Sequence, residues 1–361
     1  MRFAPAPEYE VFPTRSRALK PYQAAVRAAR ETRPLIARFG PDAVVADILT
    51  IAAGLAAELE GREWITLIPH VLPTSGPGFP PYSAGARLPR SAAGRTLWSA
   101  LRPLLSLAER RGREELNGCR ERLGLPPLDH VHGGISRRLA LVATFPQLEY
   151  PRSPWPDWAR VTGPLLWEQP YPEVAPPPGT APLVVVAPST SQDPAQRMLR
   201  AAIEGLAREP VRVLGTTNRR DPPAPLRVPA NAKLVDWISY ARSFPRADAV
   251  VCHTGHGTVA RALASGTPIV GCPEAGDQAE NAARVAWAGA GVSLPRRLVT
   301  PRGIRLAIRR LLADPGHSRR AAELAAWAEA NDGATRAADA LERLTPHREL
   351  RRWDSNPQPS P

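Results

Sequence analysis

Short apolar runs alternate with longer segments of helical spacing along most of this chain. The runs are too short for helices and lie between Pro, Gly and Asp residues, which is typical of buried parallel strands. Strands are predicted at 43–46, 64–68, 139–144, 183–187, 211–214, 233–235, 248–252, 268–272 and 291–294. Helices are predicted at 18–38, 49–59, 97–123, 195–207, 300–312, 318–330 and 334–344. Such alternation predicts the α/β class, with doubly wound parallel sheets.

The pattern breaks in one internal region and at the end. Residues 146–182 are dense in proline and tryptophan and show no periodicity, so we expect loops and an interdomain linker there. The predicted organisation is therefore a first domain at 1–165, a linker at 166–182 and a second domain at 183–345. The proline-ending segment 346–361 has no apolar face and is expected to be a disordered tail.

Composition excludes several classes of protein. Hydrophobic residues make up 43% of the chain, but no run is long enough to span a membrane. The net charge is +13, yet all but two of the 47 basic residues are arginines, which indicates a general compositional bias rather than a nucleic-acid surface. Three dispersed cysteines favour a reducing, cytoplasmic location. They lack metal-ligand spacing, so no metal or other cofactor is expected.

Candidate chemistry is concentrated in two loops that each follow an apolar strand. The first is His253-Thr254-Gly255-His256-Gly257-Thr258, at the start of a helix. Unpaired N–H groups at a helix start favour phosphate, and glycines let the backbone approach it closely. His253 could donate a hydrogen bond to a phosphate oxygen. The second loop ends in Asp277-Gln278, a pair suited either to sugar hydroxyls or to ordinary helix capping.

The order of these residues resembles the donor-site signature of the family 1 glycosyltransferases, which include bacterial antibiotic- and macrolide-type members. The chain contains, in the order typical of the family, Trp237, the loop 253–258, Gly266-Thr267-Pro268 and Asp277-Gln278. The resemblance extends over roughly 180–345, and less strongly over 41–73. It implies a GT-B fold, in which two Rossmann-like domains face each other across a cleft.

The resemblance also implies a reaction and a set of roles. A hexose would pass from a UDP- or dTDP-linked donor to a hydroxyl of a small-molecule acceptor, with inversion and without a metal, in secondary metabolism such as antibiotic biosynthesis. Trp237 would stack on the base, and Asp277 and Gln278 would bind the sugar. The full set of implied donor-binding residues is Ser189, Thr190, Trp237, Ile238, His253, Gly255, His256, Gly257, Thr258, Asp277 and Gln278.

The chain departs from the family pattern at four places. Thr254 stands where glycine is usual, so its Cβ is expected to crowd the phosphate. Arg261 replaces a glutamate that often binds the ribose hydroxyls and cannot accept a hydrogen bond, which leaves the nucleotide open. Tyr240 replaces a frequent glutamine. The family's opening strand and the loop with its catalytic histidine have no counterpart, so the first domain is expected to be incomplete and the activity weak.

Because the family's catalytic histidine has no counterpart in this sequence, two other residues are catalytic candidates. Asp47 matches the aspartate that orients the family's histidine, and His70, at the end of the next predicted strand, is a second candidate that could instead only line the acceptor pocket. Two other functions remain open at this point: a non-catalytic binder of nucleotide sugars or glycosides, and another GT-B enzyme such as a sugar-nucleotide epimerase. The sequence does not fix the acceptor, the sugar or the oligomeric state.

Overall fold

The structure, a computed structural model, describes residues 23–344 apart from 75, 83, 131–133, 191, 221 and 223. The expected tail at 346–361 and the opening 22 residues lie outside the described part. Helices α1 to α10 span Gln23–Phe39, Ile51–Leu59, Ala92–Arg122, Arg197–Leu206, Tyr240–Ser243, His256–Ala264, Gln278–Trp287, Pro301–Ala313, Pro315–Ala330 and Gly333–Glu342. Strands β1 to β10 span Ala43–Asp47, Glu63–Ile68, Ala140–Val142, Ala159–Val161, Leu183–Ala187, Arg212–Thr216, Ala232–Val235, Ala249–Cys252, Ile269–Gly271 and Gly291–Ser293.

The first sheet contains four parallel strands in the order β1-β2-β3-β4. Asp47, the last residue of β1, lies opposite Leu67, so the carboxyl ends of β1 and β2 meet at one edge. Strand β4 corrects the expectation that 146–182 holds only loops and linker. It extends the sheet because the Ala140 N–H donates to the Trp158 carbonyl at 2.7 Å and the two strands then continue in register.

The second sheet contains six parallel strands in the order β10-β9-β8-β5-β6-β7. The chain starts in the middle at β5, builds outward to β7 and then returns to add β8 on the other side. Such a reversal opens a crevice at the carboxyl ends of the two central strands, which is where ligands bind in doubly wound folds. The loops that follow β5 and β8 therefore meet at this crevice.

Apolar side chains cover both faces of the second sheet. One face packs against α4 and α8, the other against α6 and α9. Helices α4 and α8 approach so closely at Gly205 that a Cβ there would lie 2.2 Å from the Pro301 carbonyl oxygen. Only glycine fits such a contact without displacing one of the two helices.

The two halves share buried contacts rather than touching only at their surfaces. Val71, Phe145 and Leu148 of the first half belong to the same apolar cluster as the strands of the second sheet. Helix α10 returns to pack against the first sheet, with Ala337 beside Leu141. The two halves are thus joined by packed residues on both sides of the first sheet's connection to the second.

A buried ionic cluster adds to this interface. Arg284 on α7 donates from Nε to Glu280 at 2.8 Å and from Nη1 to the Leu148 carbonyl at 3.0 Å. Its guanidinium also lies 3.6 Å from Glu149 and 3.4 Å from the Tyr150 ring centroid. Burial raises the pKa of Glu149, while the neighbouring Arg284 charge opposes that rise. Arg284 is therefore the cation that keeps two buried carboxyl groups paired.

Candidate active site

The two predicted loops are neighbours in space. Strands β8 and β9 pair in parallel, so the loops that leave them emerge side by side at the carboxyl edge. The Asn281 side chain donates to the Thr254 carbonyl at 3.0 Å, and the Thr254 hydroxyl donates to the Gln278 carbonyl at 2.7 Å. These bonds join the loop before α6 to the amino end of α7, so the two helix starts form one unit.

Helix α6 presents an open amino end at this edge. Gly255 is its N-cap residue, and His256, Gly257 and Thr258 form its first turn. A Cβ added at Gly255 or Gly257 would meet no atom within 4 Å, so free space lies in front of the helix start. The first N–H groups of a helix have no partner within it and carry the positive end of the helix dipole. The arrangement can bind an anionic group such as a phosphate through the backbone.

His253 does not offer a ring N–H to that space. Its Nδ1 accepts from the Ser189 backbone N–H at 2.9 Å, and its Nε2 lies 3.3 Å from the Asp193 carboxylate. The side chain is 3% exposed, and burial lowers its pKa, with Asp193 acting in the opposite sense. The direct hydrogen bond to phosphate expected of His253 is therefore wrong for this geometry. The ring instead ties the loop after β5 to the end of β8.

Thr254 was expected to crowd a phosphate, and the structure turns its side chain the other way. Its φ of 60° is left-handed, which is costly for a β-branched residue. The side chain is fully buried beneath the loop, where its hydroxyl bonds to the Gln278 carbonyl. The space in front of α6 is left free because the methyl and hydroxyl groups point into the protein.

His256 crosses the cleft. Its Nε2 lies 3.1 Å from the Ala143 carbonyl oxygen, which follows β3 in the first sheet. Because a carbonyl can only accept, Nε2 must carry the hydrogen, and Nδ1 keeps a lone pair. Burial lowers the pKa of His256 to about 3, helped by the nearby His70, so the ring is neutral. The imidazole cannot act as a cationic phosphate ligand, although the backbone N–H of His256 remains part of the helix start.

Asp277 and Gln278 use their side chains differently. Asp277 is the N-cap residue of α7 but makes no side-chain capping bond, and its Oδ2 accepts from Asn281 at 2.9 Å. The alternative of ordinary capping is thereby removed for Asp277. Gln278 turns its Oε1 back to the N–H groups of Glu274 and Ala275, at 2.9 and 3.1 Å. The Asp277 carboxylate and the Gln278 amide N–H groups are what this pair can offer to hydroxyl groups.

The remaining predicted donor residues lie around the same edge. Ser189 is half-buried and Thr190 exposed in the loop after β5. Trp237 is half-buried, whereas Ile238 is 2% exposed and packs in the core, so its side chain cannot touch a ligand. Thr258 is half-buried in the first turn of α6.

Sequence reasoning missed two residues beside Trp237. The Arg219 guanidinium lies 4.9 Å from the Trp237 ring centroid, and the Tyr171 ring meets Trp237 edge-on at 6.4 Å. Arg219 adopts a left-handed φ of 60° after β6, and its side chain is exposed. A cation against an indole ring forms a surface on which a flat, electron-rich base can stack. In the sequence, only the adjacent arginines of Asn218-Arg219-Arg220 could have indicated a cation beside Trp237.

Arg261 is committed to the linker. Its guanidinium donates to the Leu166 carbonyl, and its Nε lies 3.8 Å from Glu168. Glu168 in turn accepts from the N–H groups of Tyr240 and Ala241 at 2.9 and 2.8 Å. The position that offers a ribose-binding carboxylate in the resembling family therefore holds the linker against the second sheet.

The two catalytic candidates lie at the carboxyl edge of the first sheet. Asp47 accepts at Oδ1 from the Leu49 N–H at 2.8 Å. His70 follows β2, and its Nδ1 lies 2.8 Å from the Val71 carbonyl and 3.1 Å from the Tyr82 hydroxyl. The rings of His70 and His256 are 6.5 Å apart, so His70 faces the start of α6 across the cleft. Tyr82, which sequence reasoning did not single out, belongs to the same group.

Two properties of the described residues bear on the wider setting. No group of three or more His, Cys, Asp or Glu side chains within them is arranged to hold a metal ion. None of their helices has the length and hydropathy needed to cross a bilayer.

Comparison with known proteins gives one family. A profile of the erythromycin biosynthesis protein CIII-like C-terminal domain matches residues 203–344. The chain is 34% identical over 330 residues to 4'-demethylrebeccamycin synthase of Lentzea aerocolonigenes, an alignment that covers 86% of this chain and 75% of that protein.

Solved structures agree on the fold. The glycotransferase of kitacinnamycin superposes with a TM-score of 0.70 at 22% identity, over 90% of this chain and 81% of that one. The spinosyn rhamnosyltransferase SpnG, complexed with thymidine diphosphate, superposes with a TM-score of 0.65 at 19% identity, over 88% and 78%. Together with the two parallel sheets and the open start of α6, these matches confirm the expected GT-B fold. The chain belongs to the family 1 glycosyltransferases of the antibiotic type, enzymes that transfer sugars from nucleotide sugars to small molecules.

Proposed function

We propose that this glycosyltransferase uses a thymidine diphosphate-linked hexose and transfers the hexose to a hydroxyl group of a small aglycone in antibiotic-type biosynthesis. The observation that carries the proposal is the open amino end of α6, with free space in front of Gly255 and Gly257. A diphosphate placed there would meet backbone N–H groups and the positive end of a helix. The Trp237–Arg219 surface would take the base, and Asp277 with Gln278 the sugar hydroxyls.

The same helix end would assist the chemistry. In an inverting displacement the acceptor oxygen attacks the anomeric carbon while the bond to the diphosphate breaks, and negative charge develops on the leaving oxygen. Fixed N–H groups stabilise that charge without reorganisation during the reaction. His253 and Asp193 would act as positioning residues, because they hold the loop of Ser189 against this helix.

Arg261 supports the choice of thymidine over uridine. A ribose 2'-hydroxyl near this position would find no carboxylate to accept its hydrogen, and the Arg261 guanidinium is already committed to Leu166 and Glu168. An unpaired buried hydroxyl costs about 1–3 kcal/mol, which corresponds to roughly a 5- to 100-fold loss of affinity. A deoxyribose avoids that penalty. SpnG was solved in complex with thymidine diphosphate. It supports this choice of nucleotide only through the similarity of its fold.

A cytoplasmic location remains part of the proposal. Cys119, Cys252 and Cys272 are buried and form no disulfide within the described residues. Burial raises the pKa of the Cys252 thiol to about 12. Buried thiols outside any disulfide suit a reducing compartment.

Calorimetric titration with thymidine and uridine diphosphates tests the donor site. We expect thymidine diphosphate to bind at least about fivefold more tightly. Gly257→Val should abolish binding while leaving the fold intact, because the added side chain enters only the space assigned to the phosphates. Gly112→Val is the matched control, since a Cβ added at that glycine on α3 would also meet no atom within 4 Å. Equal binding by Gly257→Val and the unchanged chain would refute the phosphate assignment.

A further inference from the structure

The amino-terminal part of α3 contributes little to the core of the molecule. The helix is anchored near its carboxyl end, where Leu116 and Cys119 are buried and Arg120 forms a 2.7 Å ion pair with Glu58. Among the described side chains of residues 92–110, by contrast, none is buried. About five turns of this helix therefore serve some purpose other than packing.

Three leucines of this exposed part lie on one side of the helix. Leu97, Leu104 and Leu107 are 60%, 72% and 62% exposed. Their spacings of seven and three residues bring side chains to the same side of an α-helix. A single exposed leucine is ordinary on a protein surface, whereas an aligned group marks a surface that binds an apolar partner.

The same part of the chain carries a concentrated positive charge. Residues 87–113 contain seven arginines and one glutamate, a net charge of +6, so a short segment holds nearly half of the chain's net charge of +13. The arginines are Arg87, Arg90, Arg95, Arg102, Arg110, Arg111 and Arg113. A bias toward arginine along the whole chain does not account for this concentration, because acidic residues balance the arginines more closely elsewhere.

The partners of these arginines leave much of the charge in place. Arg95 donates to two backbone carbonyls at 3.2 and 3.1 Å, and Arg113 donates to a third at 2.7 Å. Carbonyl groups are neutral and do not cancel a charge. Arg111 lies 3.6 Å from Glu115 with 78% of its side chain exposed, and water screens such a surface ion pair strongly. The segment can therefore attract an anionic partner.

We propose that α3 attaches this protein peripherally to an anionic lipid bilayer, through Leu97, Leu104, Leu107, Arg110 and Arg111. A helix with leucines on one side and many arginines lies in the plane of the bilayer interface, with the leucines at the acyl boundary. Arg111 follows Leu104 by seven residues, so its long side chain can reach the lipid phosphates beside the leucines. The helix does not cross the bilayer, because its hydropathy is too low for a span. This attachment is independent of the sugar donor and the acceptor.

Two other partners of a basic surface fit less well. Nucleic acid would bind the arginines through its phosphates but has no use for aligned leucines. A second copy of this chain would cover the leucines, but two-fold pairing would place one segment of charge +6 against another. A bilayer with anionic lipid matches both features, because phosphates and hydrocarbon lie at adjacent depths.

Cosedimentation with vesicles tests the proposal on the full chain. Vesicles of phosphatidylcholine and phosphatidylglycerol in equal parts are compared with vesicles of phosphatidylcholine alone, at about 0.05 and 0.5 M NaCl. We expect binding to the mixed vesicles at low salt. The partition coefficient should fall by about tenfold or more on phosphatidylcholine alone, and likewise at high salt, because both changes remove the attraction of the arginines.

Two double variants separate the apolar and the charged contributions. Leu97→Gln with Leu104→Gln should weaken partition onto the mixed vesicles by roughly 100-fold, about tenfold for each leucine. Arg110→Gln with Arg111→Gln should weaken it by roughly 25-fold, about fivefold for each arginine. Glutamine is nearly as good a helix former as leucine or arginine, so thermal unfolding should be unchanged.

The matched control is Leu298→Gln with Leu306→Gln, the same chemical change at leucines of the second half that are 47% and 51% exposed. It should leave the partition coefficient unchanged. An equal loss in this control would show general adhesion and overturn the assignment to α3.

Other results would also overturn the proposal. One is the absence of binding to the mixed vesicles. Another is a dimer in light scattering that the α3 leucine variant dissociates, since that would assign the surface to a second copy. A third is binding of an oligonucleotide in place of vesicles. Titration with thymidine diphosphate reports on the cleft separately, so none of these results bears on the proposed function.

Discussion

Lowering the pH from 7 to 5 should destabilise the folded chain, and we expect His256 to account for a large part of the loss. Burial lowers the pKa of His256 to about 3, whereas an unfolded histidine titrates near about 6.5. Below the unfolded value the unfolded chain binds a proton that the folded chain does not. Stability is therefore fully present above about 6.5 and is lost progressively as the pH falls toward 3.

The size of the effect follows from the separation of the two pKa values. Each pH unit between them changes the free energy of unfolding by about 1.4 kcal/mol per histidine. From pH 7 to pH 5, His256 alone thus accounts for up to about 2 kcal/mol, an upper value because the side chain is only half-buried. His253, whose pKa burial also lowers, acts in the same direction.

Urea unfolding at pH 7 and pH 5, followed by tryptophan fluorescence, compares the unchanged chain with His256→Gln. The glutamine amide can donate to the Ala143 carbonyl in place of Nε2 but does not titrate. At pH 7 we expect the two stabilities to agree within about 1 kcal/mol, as for a retained hydrogen bond. At pH 5 the variant should be the more stable, by up to about 2 kcal/mol.

An identical loss of stability in both proteins between pH 7 and pH 5 would refute the reasoning. It would mean that His256 is protonated as readily in the folded chain as in the unfolded one, and that its bond to Ala143 does not fix a neutral ring. Thymidine diphosphate affinity at pH 7, measured on both proteins, provides the control that the substitution leaves the cleft intact.

Three further predictions concern other parts of the molecule. Trp237→Ala should weaken thymidine diphosphate binding by about 1–3 kcal/mol through lost stacking, whereas Trp167→Ala, at an 85% exposed side chain, should leave the calorimetric Kd unchanged. Gly205→Ala should cost about 1–3 kcal/mol or more by overpacking α4 against α8, while Gly112→Ala in open space should stabilise by about 0.5–1 kcal/mol in thermal unfolding. Arg284→Met should cost about 3–5 kcal/mol, measured by urea unfolding, because two buried carboxyl groups lose their cation.

The alternation of strands and helices was predictable because buried parallel strands leave a continuous apolar signal. Among the strands described, all but β4 overlap a predicted run. Strand β4 and the shortest helix, α5, were not predicted. Strand β4 has three residues within a proline-rich stretch, and the Trp158 carbonyl that joins it to the sheet is bonded to a residue far back in the chain. The local sequence does not show that these residues form a strand, because they do so only by pairing with β3.

The candidate site shows the same division between place and orientation. The sequence predicted that both loops follow apolar strands, and the structure shows that these strands, β8 and β9, are parallel neighbours whose loops share one carboxyl edge. It did not predict which way the side chains turn. His253 is drawn inward by Ser189 and Asp193, which lie about sixty residues earlier. Thr254 is drawn inward by a helix that begins more than twenty residues later.

The partners of a neutral histidine decide what it can do, and they are invisible in a motif. His70 gives its Nδ1–H and His256 its Nε2–H to a backbone carbonyl, so the second nitrogen of each neutral ring can only accept. Two neighbouring acceptor nitrogens suit hydroxyl groups, whereas a phosphate would need donors. The proposed phosphate site therefore rests on the backbone of α6 and not on the imidazole side chains.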